Sequence, residues 1–97
     1  MEEILERIAT WASHGTLAQF GTEIDGYLKA GKYDSELQDD GLLIYRTRKE
    51  GGFLGVGAKT IKDPVMKLSK TEEGVVVLPE PLDKEFAQYL ATCLRQH

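Results

Sequence analysis

Four cations and one ring stand at spacings that could bind an anion. Arg46 and Arg48 alternate along an apolar run, Phe53 follows a glycine turn, and Lys59 and Lys67 come after it. Cations on a strand beside an aromatic ring are the ingredients of single-stranded nucleic-acid recognition, in which the backbone meets the charges and a base stacks on the ring. One ring is few for that purpose. Lysines on outer strands also have a simpler use, since they keep sheet edges from pairing with one another. The chain reinforces the pattern by sorting its charges. Residues 1–40 are acidic, residues 41–70 carry seven bases against Glu50 and Asp63, and residues 71–97 are acidic again. A chain of net charge −4 therefore concentrates its positive charge in one block.

Other motifs offer less. The run Gly52-Phe53-Leu54-Gly55-Val56-Gly57-Ala58-Lys59-Thr60 has the look of a phosphate-cradling loop. That chemistry needs lysine directly after the last glycine and a helix opening there, so that backbone N–H groups meet the phosphates. Ala58 intervenes, and Asp63-Pro64 stops any helix. Gly55 and Gly57 instead leave two gaps on one side of a strand, which suits a bulge or the close approach of another backbone or a ligand. His14 and His97 lie far apart in sequence, so no metal site is expected. Cys93 falls on an apolar helical stripe, where a thiol stays protonated. Ser13-His14 adjacency does not aim a base at a hydroxyl. Asp34, Glu36, Asp39 and Asp40 lack the glycine and terminal glutamate of a calcium loop. No catalytic residue and no cofactor are expected.

These residues need elements to hold them. Ile4, Leu5, Ile8, Trp11 and Ala12 recur at helical spacing over 2–13. Thr16 and Gln19 form a capping box for a second helix, whose stripe runs Leu17, Phe20, Ile24, Tyr27 and Leu28 to Gly31. Gly21 and Gly26 inside it suggest a close helix crossing. Residues 32–41 read as a polar connector. The period then changes to two, which predicts strands at Leu42–Arg48 and Phe53–Thr60, a break at Asp63-Pro64, and strands at Val65–Lys70 and Val75–Leu78. Asp83 is the expected N-cap of a last helix with Phe86, Tyr89, Leu90, Cys93 and Leu94 on one face. The expected fold is a single α+β domain over 1–97: an N-terminal helical hairpin, a four-stranded mainly antiparallel sheet of two hairpins, and a C-terminal helix, in the order ααββββα.

Alternation divides the sheet into two faces. Leu43, Tyr45, Thr47, Leu54, Val56 and Ala58 are the expected core face. Ile44, Arg46, Arg48, Phe53, Gly55, Gly57, Lys59 and Lys67 are the expected contact surface, apolar and cationic at once. Met66, Leu68, Val75 and Val77 share one face of the second hairpin, and Val65, Lys67, Ser69, Val76 and Leu78 share the other. Both faces carry apolar residues, so either helices cover both or the outer one is a contact surface; three short helices are about enough for one face, which favours the second.

A chain of 97 residues with 41% apolar and 29% charged residues is an ordinary globular domain with little room for a deep active site. Its pI of about 5.1 argues against a dedicated duplex binder. The lone Cys93, the acidic start Met1-Glu2-Glu3 and the absence of a long apolar run point to the cytoplasm and away from a membrane. The function expected is that of a non-catalytic binding protein acting through the apolar-cationic face as a homodimer or on another protein. An anionic ligand or single-stranded nucleic acid on the same face is the alternative.

Overall fold

The computed structural model describes residues 1–51, 57 and 59–95. Its elements run α1 (Glu2–Ala12), α2 (Leu17–Ala30), β1 (Tyr33–Gln38), β2 (Gly41–Glu50), β3 (Lys59–Thr71), β4 (Gly74–Leu82) and α3 (Lys84–Arg95). The strands form one antiparallel sheet in the order β1-β2-β3-β4. This is the expected α+β architecture in the expected order.

Local chemistry explains the helices. Gln19 N–H donates to Thr16 Oγ1 at 3.1 Å and Thr16 N–H donates to Gln19 Oε1 at 2.9 Å, so the capping box satisfies two backbone donors at the start of α2. Asp83 Oδ1 accepts from Phe86 N–H at 3.1 Å and caps α3. Ser13, at the end of α1, ties the helical elbow to the sheet. Its Oγ donates to the Ala9 carbonyl at 2.8 Å and accepts from Val75 N–H at 3.1 Å.

The core lies between the helices and one face of the sheet. Ile8, Ile24, Leu28, Phe86 and Leu90 meet Leu42, Ile44, Met66 and Leu68, all fully or almost fully buried. Burying each such side chain stabilises by about 1.5–3 kcal/mol relative to exposure. The contacts between layers are α1 on β4, α2 on β1 and β2, and α3 on β3. Among the described residues no helix covers the opposite face.

Four expectations change. Residues 33–38 are a strand and not a connector: Tyr33 to Gln38 pair antiparallel with Arg46 to Gly41. It is an edge strand, where charged residues such as Asp34 and Glu36 are tolerated. Asp63-Pro64 does not break the sheet. β3 runs through it, and the partners jump from Ile44–Met66 to Tyr45–Pro64, leaving Val65 as a bulge. A proline is admissible at a bulge, and the extra residue turns Val65 into the core beside Met66. The core parity of β2 is also reversed. Leu42 and Ile44 point into the core, while Leu43, Tyr45 and Thr47 take the uncovered face. Finally, a Cβ on Gly26 would meet nothing within 4 Å, so no helix crossing requires that glycine. At Gly21 it would make ordinary contact with Leu42 at 3.4 Å. The predicted strand Phe53–Thr60 falls largely outside the described residues. Within it, Gly57 is a turn residue with φ of +80°, and Lys59 and Thr60 begin β3.

Gly26→Ala should raise the unfolding free energy by about 0.5–1 kcal/mol, because alanine removes the entropic cost of a helical glycine and meets no neighbour. Gly41→Ala should lower it by more than about 2 kcal/mol, because the new Cβ would overlap the backbone carbonyl of Leu68. Urea denaturation of the two variants beside the parent measures both.

Candidate interaction surface

The site follows from a mismatch of lengths. Leu42, Ile44, Arg46 and Arg48 all lie on the helix side of β2. The first two are buried, and from Arg46 to Glu50 every residue is exposed. The face turns from apolar to cationic where the helical cover ends. Beyond that line β2 and β3 continue as a two-stranded ribbon, with Arg46 opposite Asp63, Arg48 opposite Ile61 and Glu50 opposite Lys59. The principal extents of 48 × 29 × 23 Å record the elongation. The radius of gyration is 14.3 Å, against about 12.5 Å for a compact chain of this length.

A bare two-stranded ribbon is marginal in water, and polar contacts fasten this one. Arg48 donates from Nε to Asp63 Oδ2 at 2.7 Å and from Nη1 to Glu50 Oε2 at 2.6 Å. Asp63 first, then Glu50, holds its guanidinium above its ordinary pKa. At the ribbon's root, Arg46 Nη2 donates to Tyr33 Oη at 2.9 Å, and its guanidinium lies 5.1 Å from the Tyr33 ring. That hydrogen bond raises the Arg46 pKa. Tyr33 in turn meets the Phe86 ring edge-on, centroids 4.6 Å apart, so the root is coupled to the core.

The uncovered face is different in kind. Leu43, Tyr45, Val76 and Leu78 lie on it among Thr47, Ser69 and three lysines' partners. Tyr45 is only 7% exposed, with Lys62 Nζ 4.9 Å above its ring. Val76 is 41% exposed. Ion pairs run from β3, Lys62–Glu36 at 4.0 Å and Lys67–Asp40 at 2.9 Å, and at the sheet edge Lys29 of α2 pairs with Asp34 at 3.0 Å. Hydrogen bonding from Lys67 holds the Asp40 carboxyl below the usual carboxylate range. Lys29, then the Ser35 N–H, does the same for Asp34.

The expected surface residues are therefore not brought together. Ile44 is 0% exposed and belongs to the core. Arg46 and Arg48 share its face but stand past the helices. Lys59 ends the ribbon opposite Glu50. Lys67 lies on the other face. Phe53 and Gly55 fall outside the described residues, and Gly57 occupies the connection at the ribbon's tip. Sequence spacing does not single out Tyr33, Tyr45, Lys49, Lys62 or Asp63. Tyr33 stands in a polar stretch that suggests a connector, Asp63 in a dipeptide that suggests a break, and Tyr45 at a position whose alternation suggests the core.

A cleft of about 490 Å³ opens at the α1–α2 elbow beside Trp11, His14, Gln19 and Glu23, with Trp11 Nε1 donating to Glu23 Oε2 at 3.4 Å. The Ser13 hydroxyl is engaged with backbone at Ala9 and Val75. Among the described residues there is no group of three or more His, Cys, Asp or Glu able to hold a metal, and no helix is long and apolar enough to cross a membrane. Comparison with known protein families, curated proteins and solved structures finds no match to the chain.

Arg48→Ala should change global stability by less than about 1 kcal/mol, because its ion pairs are solvent-exposed. It should nevertheless speed amide exchange at Thr47, Lys49 and Lys62 while leaving the helices unchanged, as hydrogen-exchange NMR would show. A second expectation concerns pH. Asp34 and Asp40 have lowered pKa values, so their contribution to stability is fully present above the unfolded carboxyl pKa. It is lost as pH falls through the lower folded value. Lys67→Met should move the Asp40 midpoint back up toward the ordinary range, measured by carboxyl carbon shifts.

Proposed function

We propose that this chain is a non-catalytic interaction protein that works as a homodimer through the uncovered face of its sheet. One observation carries the reading. A four-stranded sheet presents exposed Val76 and half-buried Leu43 and Leu78, beside the nearly buried Tyr45, on a face with no helix over it, and the nearby Lys62 and Lys67 are already paired with carboxylates. Apolar area framed by neutralised charge is suited to a protein contact, since little desolvation is left to offset the gain from burial. A mixed face of this kind replaces the surface expected around Ile44. The lone Cys93 fits a reducing compartment, and a cytoplasmic setting goes with the proposal.

A second reading rests on the ribbon. Lys49 and Lys59 make no ion pair among the described residues, and Arg46 and Lys62 stand near them. A slender cationic ribbon has the shape and sign to lie along a nucleic-acid backbone. Arg48 counts for less there, because Asp63 and Glu50 already engage it.

Light scattering on a sizing column at low and high salt separates the two. The homodimer should persist at both, and Val76→Asp should weaken it by at least about tenfold with an unchanged circular dichroism spectrum, since it sets a charge into the contact. A monomer at both salts sinks the homodimer. Oligonucleotide binding that falls steeply with salt and disappears in Lys49→Ala with Lys59→Ala would establish the second reading instead.

A further inference from the structure

The outer side of β1 is an open edge, because the order β1-β2-β3-β4 gives it a neighbour on one side only. The turn Asp39-Asp40 joins β1 to β2, with Gln38 opposite Gly41. Residues that flank a two-residue hairpin turn exchange both backbone hydrogen bonds, and alternation from there turns the backbone groups of Ser35 and Leu37 outward. Asp34 Oδ1 accepts from the Ser35 N–H at 2.8 Å, and Lys29 of α2 holds that carboxylate at 3.0 Å. The carbonyls of Ser35 and Leu37 and the Leu37 N–H are left facing out of the sheet.

A groove runs along the same edge. The side chains of Ser35 and Leu37 lie on the helix side, opposite Ile44 and Leu42. Between them and α2 is a groove of about 380 Å³, walled by Ala18, Gly21, Thr22 and Asp25 on one side and by Ser35 and Leu37 on the other. Gly21 keeps it open, since a Cβ there would project to within 3.4 Å of Leu42 and 3.9 Å of Ser35 Oγ. Leu37 is 57% exposed, more than any other large apolar side chain among the described residues. The groove's one charged lining residue is Asp25, which makes no ion pair among the described residues. Lys29, one turn along α2, is committed to Asp34.

We propose that this groove takes an extended segment of another protein, which adds to β1 as a fifth strand, seats aliphatic side chains over Gly21 and Leu37, and sets a lysine or arginine against Asp25. In strand addition the main-chain bonds supply affinity, and pockets for alternate side chains supply selectivity. Alternate residues of an added strand project to the helix side about 7 Å apart, the same spacing that separates Ser35 from Leu37. Small residues on α2 leave room for those side chains, and the lone carboxylate gives the occupant its charge. A second copy of β1 fits poorly, because pairing two such edges sets their Asp34 and Glu36 rows side by side on one face. The site is separate from the uncovered face and does not depend on the homodimer.

Selection of phage-displayed random peptides of about twelve residues against the full chain tests the proposal. Enriched peptides should alternate aliphatic residues and carry a lysine or arginine. A synthetic copy of the winner should slow amide exchange at Leu37. Its affinity should fall at least about tenfold in Leu37→Pro, which deletes an outward-facing donor at a position where an edge strand tolerates proline, and in Gly21→Leu, which fills the groove. Asp25→Asn should weaken it about threefold or more. Circular dichroism of the variants reports whether the fold is kept, and exchange at Leu37 in the parent stands without them. No enriched peptide, or enriched peptides with apolar residues at helical spacing that leave Leu37 exchange unchanged, overturns the proposal. So does a winner that binds folded Leu37→Pro and Gly21→Leu as tightly as the parent.

Discussion

The helix layer is shorter than the strands it covers, and most of the molecule's properties follow from that mismatch. At about 1.5 Å per residue, α2 spans roughly 21 Å and α3 roughly 18 Å. At about 3.4 Å per residue, β2 spans roughly 34 Å and β3 roughly 44 Å. Three helices of this length can bury only the proximal part of the sheet, on one side. The same even-numbered face of β2 thus begins as core at Leu42 and Ile44 and ends as solvated arginine at Arg46 and Arg48. No change in strand geometry is required, only the end of the cover.

Where burial stops, other forces must hold the backbone. Ladder hydrogen bonds continue along the ribbon, and Arg48 bridges Asp63 and Glu50 across it. Exposed ion pairs of this kind contribute little to global stability. The ribbon is accordingly a low-stability extension of a well-packed body, joined at one anchored root where Phe86, Tyr33 and Arg46 touch in sequence. Such an element contributes little to the core, which is the physical reason to look for its use in contact with something else. The bulge at Val65 works alongside. It lets Pro64 sit within a long strand and still returns an apolar side chain to the core.

Electrostatics then shapes the uncovered face. Lys62 and Lys67 reach from β3 to Glu36 on β1 and Asp40 in the turn after it, Lys29 reaches from α2 to Asp34 on the edge strand, and the lowered pKa values of Asp34 and Asp40 are the signature of this pairing. The block of positive charge in the sequence is thereby partly neutralised, at Arg48, Lys62 and Lys67. It does not become a cationic face, because the pairing happens between strands that are distant in sequence, such as Lys67 with Asp40 and Lys62 with Glu36.

Local chemistry was enough to determine the helices, their caps and the fold class. The Thr16–Gln19 box, the Asp83 cap and the 3.6-residue stripes depend on neighbours a few positions away. The parity of β2 was not legible, because Leu42, Leu43, Ile44 and Tyr45 are apolar on both faces, and a shift of one residue exchanges inside for outside. Only the position of the helices chose between them. β1 was not legible either. Its Asp34 and Glu36 are poor strand formers, and it is a strand because β2 pairs with it. Arg46 and Arg48 could be picked out as cations on a sheet from the sequence itself. That Ile44 lies beneath the helices, that Lys67 faces the other way and that Asp63 engages Arg48 depended on tertiary structure. Burial and ion pairing are settled by which strands meet and where the helical cover ends, and neither is encoded in spacing along one strand.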